Sequence, residues 1–300
     1  MMIPETSLVP VNEAPVAEQV SDSDAFVKLS DFKRTSSIEI LPTQILKTEP
    51  LDRLFAEETE IYLPLLRGAE LDVTVAAVEK VLSERMLATP HLAARSIGSR
   101  DQLDTWLQRL EDVGCNRLML IAGDPLTRTG PYKDTLEILD TGLLEKHGFI
   151  HIGVAGHPDG HVHANSRQVL EALEIKKAYA RAHDINMWVV TQFVFDIANF
   201  TAWLDEWDEA LDFLPVHMGL AGPTSMTNLM RYAARCGVAL SAKMILRNRN
   251  TMKLVGSWDP AEQLEELYRQ CSLHIGRRLQ ALHLYPFGGL ARSAHWLDSE

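Results

Sequence analysis

The chain has 300 residues, 46% apolar and 23% charged, ordinary proportions for one large globular domain or two small ones. Its 29 basic and 41 acidic residues leave a net charge of −12, which argues against a nucleic-acid binder, since neutralising phosphates needs a basic face. Cys115, Cys236 and Cys271 form no C-x-x-C pair, no apolar run reaches the length of a membrane span, and no secretory leader is present. A cytoplasmic protein with reduced thiols and no membrane partner is therefore expected.

Residues 1–34 are rich in Pro, Ser, Glu and Asp without a sustained period, and are expected to be a tail preceding a catalytic domain over 35–300. From there short apolar runs alternate with amphipathic stretches. Strands are predicted at 37–42, 60–65, 87–92, 117–123, 149–156, 187–193, 213–220 and 282–287, each mostly apolar, as in strands buried on both faces. Between them, SRDQLDTWLQRLEDVG places Leu103, Trp106, Leu107 and Leu110 on one helical face and stops at Gly114. NSRQVLEALEIKKAYARAHD turns Val169, Leu170, Leu173 and Ile175 inward. Asp259 is the expected N-cap of a later helix, with Pro260 at its first position. Residues 238–258 receive no firm assignment. Strands alternating with helices predict an α/β fold, a (βα)8 TIM barrel, over an open doubly wound sheet. No G-x-G-x-x-G follows any strand.

In such a barrel the working groups sit at the C-terminal ends of strands. That rule selects Glu39, His91, Asp124, the cluster His157, Asp159, His161 and His163, then Gln192 and Tyr285. Glu39 is a carboxylate inside an apolar strand, suited to a raised pKa and general-acid work, or else to a structural bond with a lysine. Asp124 in a G-D-P turn reads evenly as functional or as a turn cap. Gln192 offers an uncharged amide that both donates and accepts, apt for recognising a heterocycle or for backbone satisfaction in the core. The H-x-H pair His161 and His163 raises a metal reading, but the first strand carries Glu39 and no histidine. The tight Pro-Asp-Gly turn also complicates convergence of three imidazoles. A non-metal role is favoured.

Taken in order, these motifs resemble the methylenetetrahydrofolate reductase family, whose members are FAD-dependent (βα)8 barrels. The resemblance rests on Ser37-Ile38-Glu39-Ile40-Leu41-Pro42, Pro90-His91-Leu92, Gly123-Asp124-Pro125 with Tyr132, VAGHPDGH at 154–161 and TQFVFD closing at Asp196. It implies that Glu39 protonates the folate nitrogen as the imidazolidine ring opens. It also implies that Asp124 lies by flavin and pterin, and that Gln192 and Tyr285 meet the substrate. His91, Gly123, Tyr132, Ala155, His157, Asp159, His161 and Ala164 would hold FAD, with Glu171, Lys176 and Lys177 reaching its ribityl and phosphate groups. Hydride transfer between flavin and the one-carbon unit needs no metal.

The sequence departs from the family pattern at His157 (more often Tyr), Asp159 (usually Glu), Pro64 after strand two, Met226 after strand seven, and YPFGGLAR around Arg292 after strand eight. These departures fall on nicotinamide and folate-tail contacts. Interconversion of methylene- and methyltetrahydrofolate is therefore the expected chemistry, with NAD(P)H use doubtful, oxidation of methyltetrahydrofolate open, and a homo-oligomer expected. Two other readings stand beside it: a metal-dependent amidohydrolase-like barrel using His91, His157, His161 and His163, and a non-redox pterin-binding barrel for methyl transfer.

Overall fold

The computed structural model describes residues 29–65, 70–236 and 257–299. Eight parallel strands close on themselves: β1 (Ser37–Glu39), β2 (Glu60–Leu63), β3 (Leu87–Ala93), β4 (Arg117–Ile121), β5 (His151–Gly156), β6 (Asn186–Phe193), β7 (Val216–Ala221) and β8 (Leu279–Tyr285). Each strand pairs with its neighbours in sequence, and β8 closes on β1 through Ser37 opposite His283. The fold is a (βα)8 barrel, as the alternation of runs predicts, and each predicted strand overlaps an observed one. The longer helices around it are α1 (Leu71–Ser83), α2 (Arg100–Asp112), α3 (Ser166–Ala182), α4 (Ile197–Glu206), α5 (Met226–Cys236), α6 (Ala261–Cys271) and α7 (Leu290–Asp298). Residues 1–28 of the expected tail, and 238–256, lie outside the described residues. Leu29–Arg34 form a helical turn with Phe32 buried in the core.

Local chemistry sets the helix starts. The Ser99 hydroxyl accepts from Gln102 N at 3.1 Å ahead of α2, whose face Leu103, Trp106, Leu107 and Leu110 is buried as expected. Asn165 and Gln168 form a reciprocal capping box at α3, and Asp196 accepts from Ala198 N and Asn199 N at α4. The start of α6 differs by one residue from expectation. Pro260 occupies the N-cap position, while Asp259 still accepts from Ala261 N. On α3 Leu173, Lys177 and Ala180 are buried, Val169 and Leu170 pack against the core as expected, and Ile175 is 50% exposed.

Alternation along each strand sends one set of side chains outward under the helices and the other into the barrel. Outward go Ile38, Ile61, Leu63, Leu92, Leu118, Leu120, Ile152 and Val154, all buried in the main core. Inward, near the N-terminal end, Arg117 pairs with Glu60 at 2.9 Å, lies over the Trp188 ring, and shares Glu60 with the Thr89 hydroxyl. One layer up, Trp188 Nε1 donates to the fully buried Tyr62 hydroxyl at 2.8 Å. Gly153 leaves the room for this layer, because a Cβ there would come within 3.0 Å of Met119 and 3.1 Å of Trp188. Breaking a buried ion pair strands its partner charge. Arg117→Met is therefore expected to lower stability by about 3–5 kcal/mol in denaturant titration, and a loss below about 1 kcal/mol would show that the pair behaves as a surface one.

Candidate active site

The mouth at the C-terminal ends of the strands is floored by partly exposed side chains: Glu39 from β1, His91 from β3, Ile121 from β4, Ala155 from β5, Gln192 from β6 and Tyr285 from β8. The structure thus gathers five residues selected from sequence around one opening. Glu39 Oε2 lies 3.7 Å from His91 Nε2. Burial pushes the Glu39 carboxyl up to about 7 and the His91 imidazole down to about 4. Around neutrality Glu39 is therefore poised to hold or release a proton, while His91 is a neutral ring whose buried Nε2 has no hydrogen-bond partner among the described residues.

Gln192 is positioned by an irregularity in the sheet. The β6–β7 register shifts between Val190 and Phe193. The segment is pinned there: Gly219 N donates to Thr191 Oγ1 at 2.9 Å, and the Tyr285 hydroxyl donates to Thr191 O at 3.0 Å. A Cβ on Gly219 would fall 2.5 Å from the carbonyl oxygens of Thr191 and Gln192, so the strands approach this closely only because that residue is glycine.

Two features of the mouth escaped the strand-end rule. His283, one step deeper on β8, accepts or donates through Nδ1 to Ser37 Oγ at 2.8 Å and packs edge-on against Tyr62 and Tyr285. Beside Gln192 stands an aromatic wall in which Phe193 meets Phe195, Tyr285 and Phe287, and Tyr232 of α5 stacks on Phe287 at 4.5 Å. Met226 packs against this wall. The inward alternation Ala281, His283, Tyr285 is the signal that would have found the histidine.

The remaining candidates lie farther out. Gly123 has φ of +80° and gives its carbonyl to Arg95 Nη1 at 2.5 Å. Asp124 is exposed, and its carboxylate accepts from Leu126 N at 2.8 Å, so it does cap the turn. Tyr132 is buried in the core. Glu171 pairs with Arg167 on the exposed side of α3, and Lys177 pairs with Glu174. Lys176 makes no ion pair within 4 Å among the described residues. Burial lowers its ammonium to about 8, offset in part by Asp134. His157 packs edge-on against His161 at 4.6 Å, and both imidazoles are held below their usual pKa, chiefly by burial. His163 is exposed, and its backbone N–H donates to His161 Nδ1.

His157, Asp159, His161 and Ala164 line one side of a crevice of about 680 Å³, whose other side is Phe195, Asp196 and the α4 residues Asn199, Trp203 and Glu206, followed by Trp207. Among the described residues no three His, Cys, Asp or Glu side chains gather as a metal set.

The model of the methylenetetrahydrofolate reductase family matches residues 65–285, most of the chain. The chain belongs to the methylenetetrahydrofolate reductase family. The match begins after β2, so Glu39 lies outside it. Methylenetetrahydrofolate reductase 1 of Schizosaccharomyces pombe is 24% identical over 228 residues, covering 73% of this chain. The chain spans 36% of that relative's length. Among solved structures, a Clostridium thermocellum protein described as binding two copies of 5-methyl-5,6,7,8-tetrahydrofolic acid has a TM-score of 0.54 at 10% identity. The similarity covers 88% of this chain and 94% of that one, and speaks for the fold alone. Among the described residues no helix is long and apolar enough to cross a membrane.

The methylenetetrahydrofolate reductase family is generally flavin-dependent, and the mouth of this barrel fits such a group in two respects. The unpartnered His91 Nε2 and the small Ala155 leave polar and steric room over the barrel floor. Lys176, felt electrostatically by both His157 and His161 and without an ion-pair partner among the described residues, is a cation that would suit a diphosphate. The infrared carboxyl band of Glu39 is expected to disappear as pH rises through about 7 and to be missing in Glu39→Gln. A band already lost at pH 5 would place the group back in the ordinary carboxylate range.

Proposed function

We propose that this protein interconverts 5,10-methylene- and 5-methyltetrahydrofolate as an FAD-dependent oxidoreductase, with Glu39 as general acid. The observation that carries the reading is the half-buried carboxyl at the end of β1, raised to about 7, facing the mouth of a barrel of this family. The Clostridium thermocellum neighbour's ligand agrees with a barrel of this outline receiving a reduced folate. Ala155 and Lys176 are among the residues that would hold FAD, which when bound would supply the hydride chemistry.

The chain's own groups do the rest. Glu39 gives its proton to the folate ring nitrogen as the carbon–nitrogen bond opens and the one-carbon unit takes the hydride. In the reverse direction it takes the proton back. His91, uncharged at neutrality, places no cation beside the carboxyl, so a large share of Glu39 still carries its proton near pH 7. Gln192 offers both donor and acceptor to the pterin edge, and the wall of Phe193, Tyr285, Phe287 and Tyr232 gives the flat ring a face to stack on. Asp124, exposed on the loop after β4, would reach toward the folate from outside the mouth.

Glu39→Gln is expected to retain folate binding while turnover falls by about 10²–10⁴-fold, the usual contribution of a positioned proton donor. Turnover equal to wild type would remove Glu39 from this role. The purified protein, reconstituted with FAD, is expected to show flavin absorption that reduced folate bleaches anaerobically. A protein that stays colourless yet binds methyltetrahydrofolate would instead be a pterin-binding barrel without redox chemistry.

A further inference from the structure

The barrel has a second wet end. His217, the second residue of β7, is partly exposed there, beside the partly exposed ion pair of Glu60 and Arg117. Between it and the mouth the interior holds two more imidazoles, His283 on β8 and His91 on β3. The three gather around one buried pair, Trp188 and Tyr62, joined by a hydrogen bond of 2.8 Å. His217 stacks on Trp188 at 6.0 Å, while His283 and His91 meet the Tyr62 ring edge-on at 4.3 and 6.1 Å. His283 is the middle member. Burial first, then His91 and His217, lower its pKa well below the usual histidine value, so it lies within electrostatic reach of both. At the upper end His91 Nε2 stands 3.7 Å from Glu39 Oε2.

Barrel interiors are ordinarily filled with branched aliphatic side chains, and an imidazole there loses hydration that a valine or leucine never had. Three of them around one buried pair call for a use. Burial keeps each uncharged at neutrality. A neutral imidazole carries one N–H and one lone pair, so it can accept a proton on one nitrogen and release another. His91 Nε2 and His217 Nδ1 are buried without a partner among the described residues, whereas His283 Nδ1 is held by Ser37 Oγ at 2.8 Å. Unpartnered nitrogens in a polar interior are what buried water bridges. Both ends of the series, His217 and Glu39, are partly exposed, while His283 between them is only 1% exposed.

We propose that His217, His283 and His91, bridged by buried water, form a proton path from the base of the barrel to Glu39, and that this path refills the carboxylate while ligands cover the mouth. The refilling rests on the folate reading above, and the path itself does not. Each transfer breaks one bond to hydrogen and makes another. A proton from bulk solvent adds to His217, each imidazole passes on the one it held, and Glu39 ends with a new O–H bond. When Glu39 takes a proton from the folate in the reverse direction, the same series runs downward to solvent. No electron moves, and no co-reactant beyond water is needed. At the point of entry burial holds the His217 imidazole at about 4, while Glu60 raises and Arg117 lowers it in opposition, so neither charge dominates there.

The test follows hydrogen–deuterium exchange at the His283 ring N–H by nuclear magnetic resonance, in the intact protein with isotope-labelled histidine. The backbone amide of Leu284, on the same buried strand, is the internal control. Although His283 is 1% exposed, its ring N–H is expected to exchange about 100-fold faster than that amide, whose release needs local opening of the sheet. His217→Phe keeps a ring against Trp188, and His91→Leu removes the upper link. Together they are expected to slow His283 exchange by about tenfold or more while the Leu284 amide is unchanged, a separation that loosened packing would not produce. Exchange at His283 no faster than at Leu284, or equally fast in the double variant and wild type, overturns the path. In His217→Phe alone, which needs no second replacement to fold, steady-state folate turnover is expected to fall by about tenfold, with a larger solvent deuterium isotope effect than wild type. Unchanged turnover and isotope effect overturn the refilling role. Fast, histidine-dependent exchange in a protein that turns over no folate defeats the folate reading and leaves the path standing.

Discussion

Closure of a short parallel sheet constrains everything else in this molecule. Once β8 pairs with β1, every second side chain of each strand must face the barrel interior, and polar groups there have only one another as partners. The interior answers in layers. At the N-terminal end Glu60, Arg117 and Thr89 satisfy one another, and above them Tyr62 and Trp188 do the same. Higher still, His283 settles on Ser37. At the mouth Glu39 and His91 face each other at 3.7 Å with neither fully charged at neutrality, and deeper in the barrel His217, stacked on Trp188, also keeps an unpartnered Nδ1. Burial without full pairing thus occurs at the mouth and one layer beneath it.

Burial alone explains why the candidate site does not require an exotic motif. A glutamate in bulk water releases its proton near 4.5, and the same residue at the rim of a dry interior keeps it to about 7. Depth along the barrel axis therefore sets proton affinity, and the neighbouring imidazole, itself uncharged by the same burial, does not reverse it. The matched family span begins beyond the strand that carries the carboxylate, so the case for Glu39 stands on side-chain geometry.

The barrel was legible in the sequence because strands buried on both faces leave compact apolar runs, and each predicted run overlaps an observed strand. The mouth was largely legible too, since Glu39, His91, Gln192 and Tyr285 all stand at strand ends. What was hidden follows from particular residues. On α3 the apolar pattern points to Ile175, but the buried face runs through Leu173, Lys177 and Ala180, because a lysine stem can cover apolar surface while its ammonium reaches Glu174. His283 was missed because attention to the last residue of a strand overlooks the one two positions earlier. The crevice was legible on one side only: His157, Asp159, His161 and Ala164 stand out in the sequence, but the facing wall of Phe195, Asn199, Trp203 and Glu206 does not.

Gly219 carries a consequence of a different kind. It contributes no functional group and contacts no atom of any ligand considered above, yet the space of its absent methyl is where the backbone of β6 passes. The direction of the Gln192 amide is thus specified by an atom that is not there. A catalogue of chemical groups around the opening would omit the residue entirely, although exchanging one hydrogen for a carbon at that point would re-aim the amide without touching its chemistry. Part of the shape of this mouth is written as vacancy in the polymer, on a neighbouring strand, and is inherited only as long as that vacancy is kept.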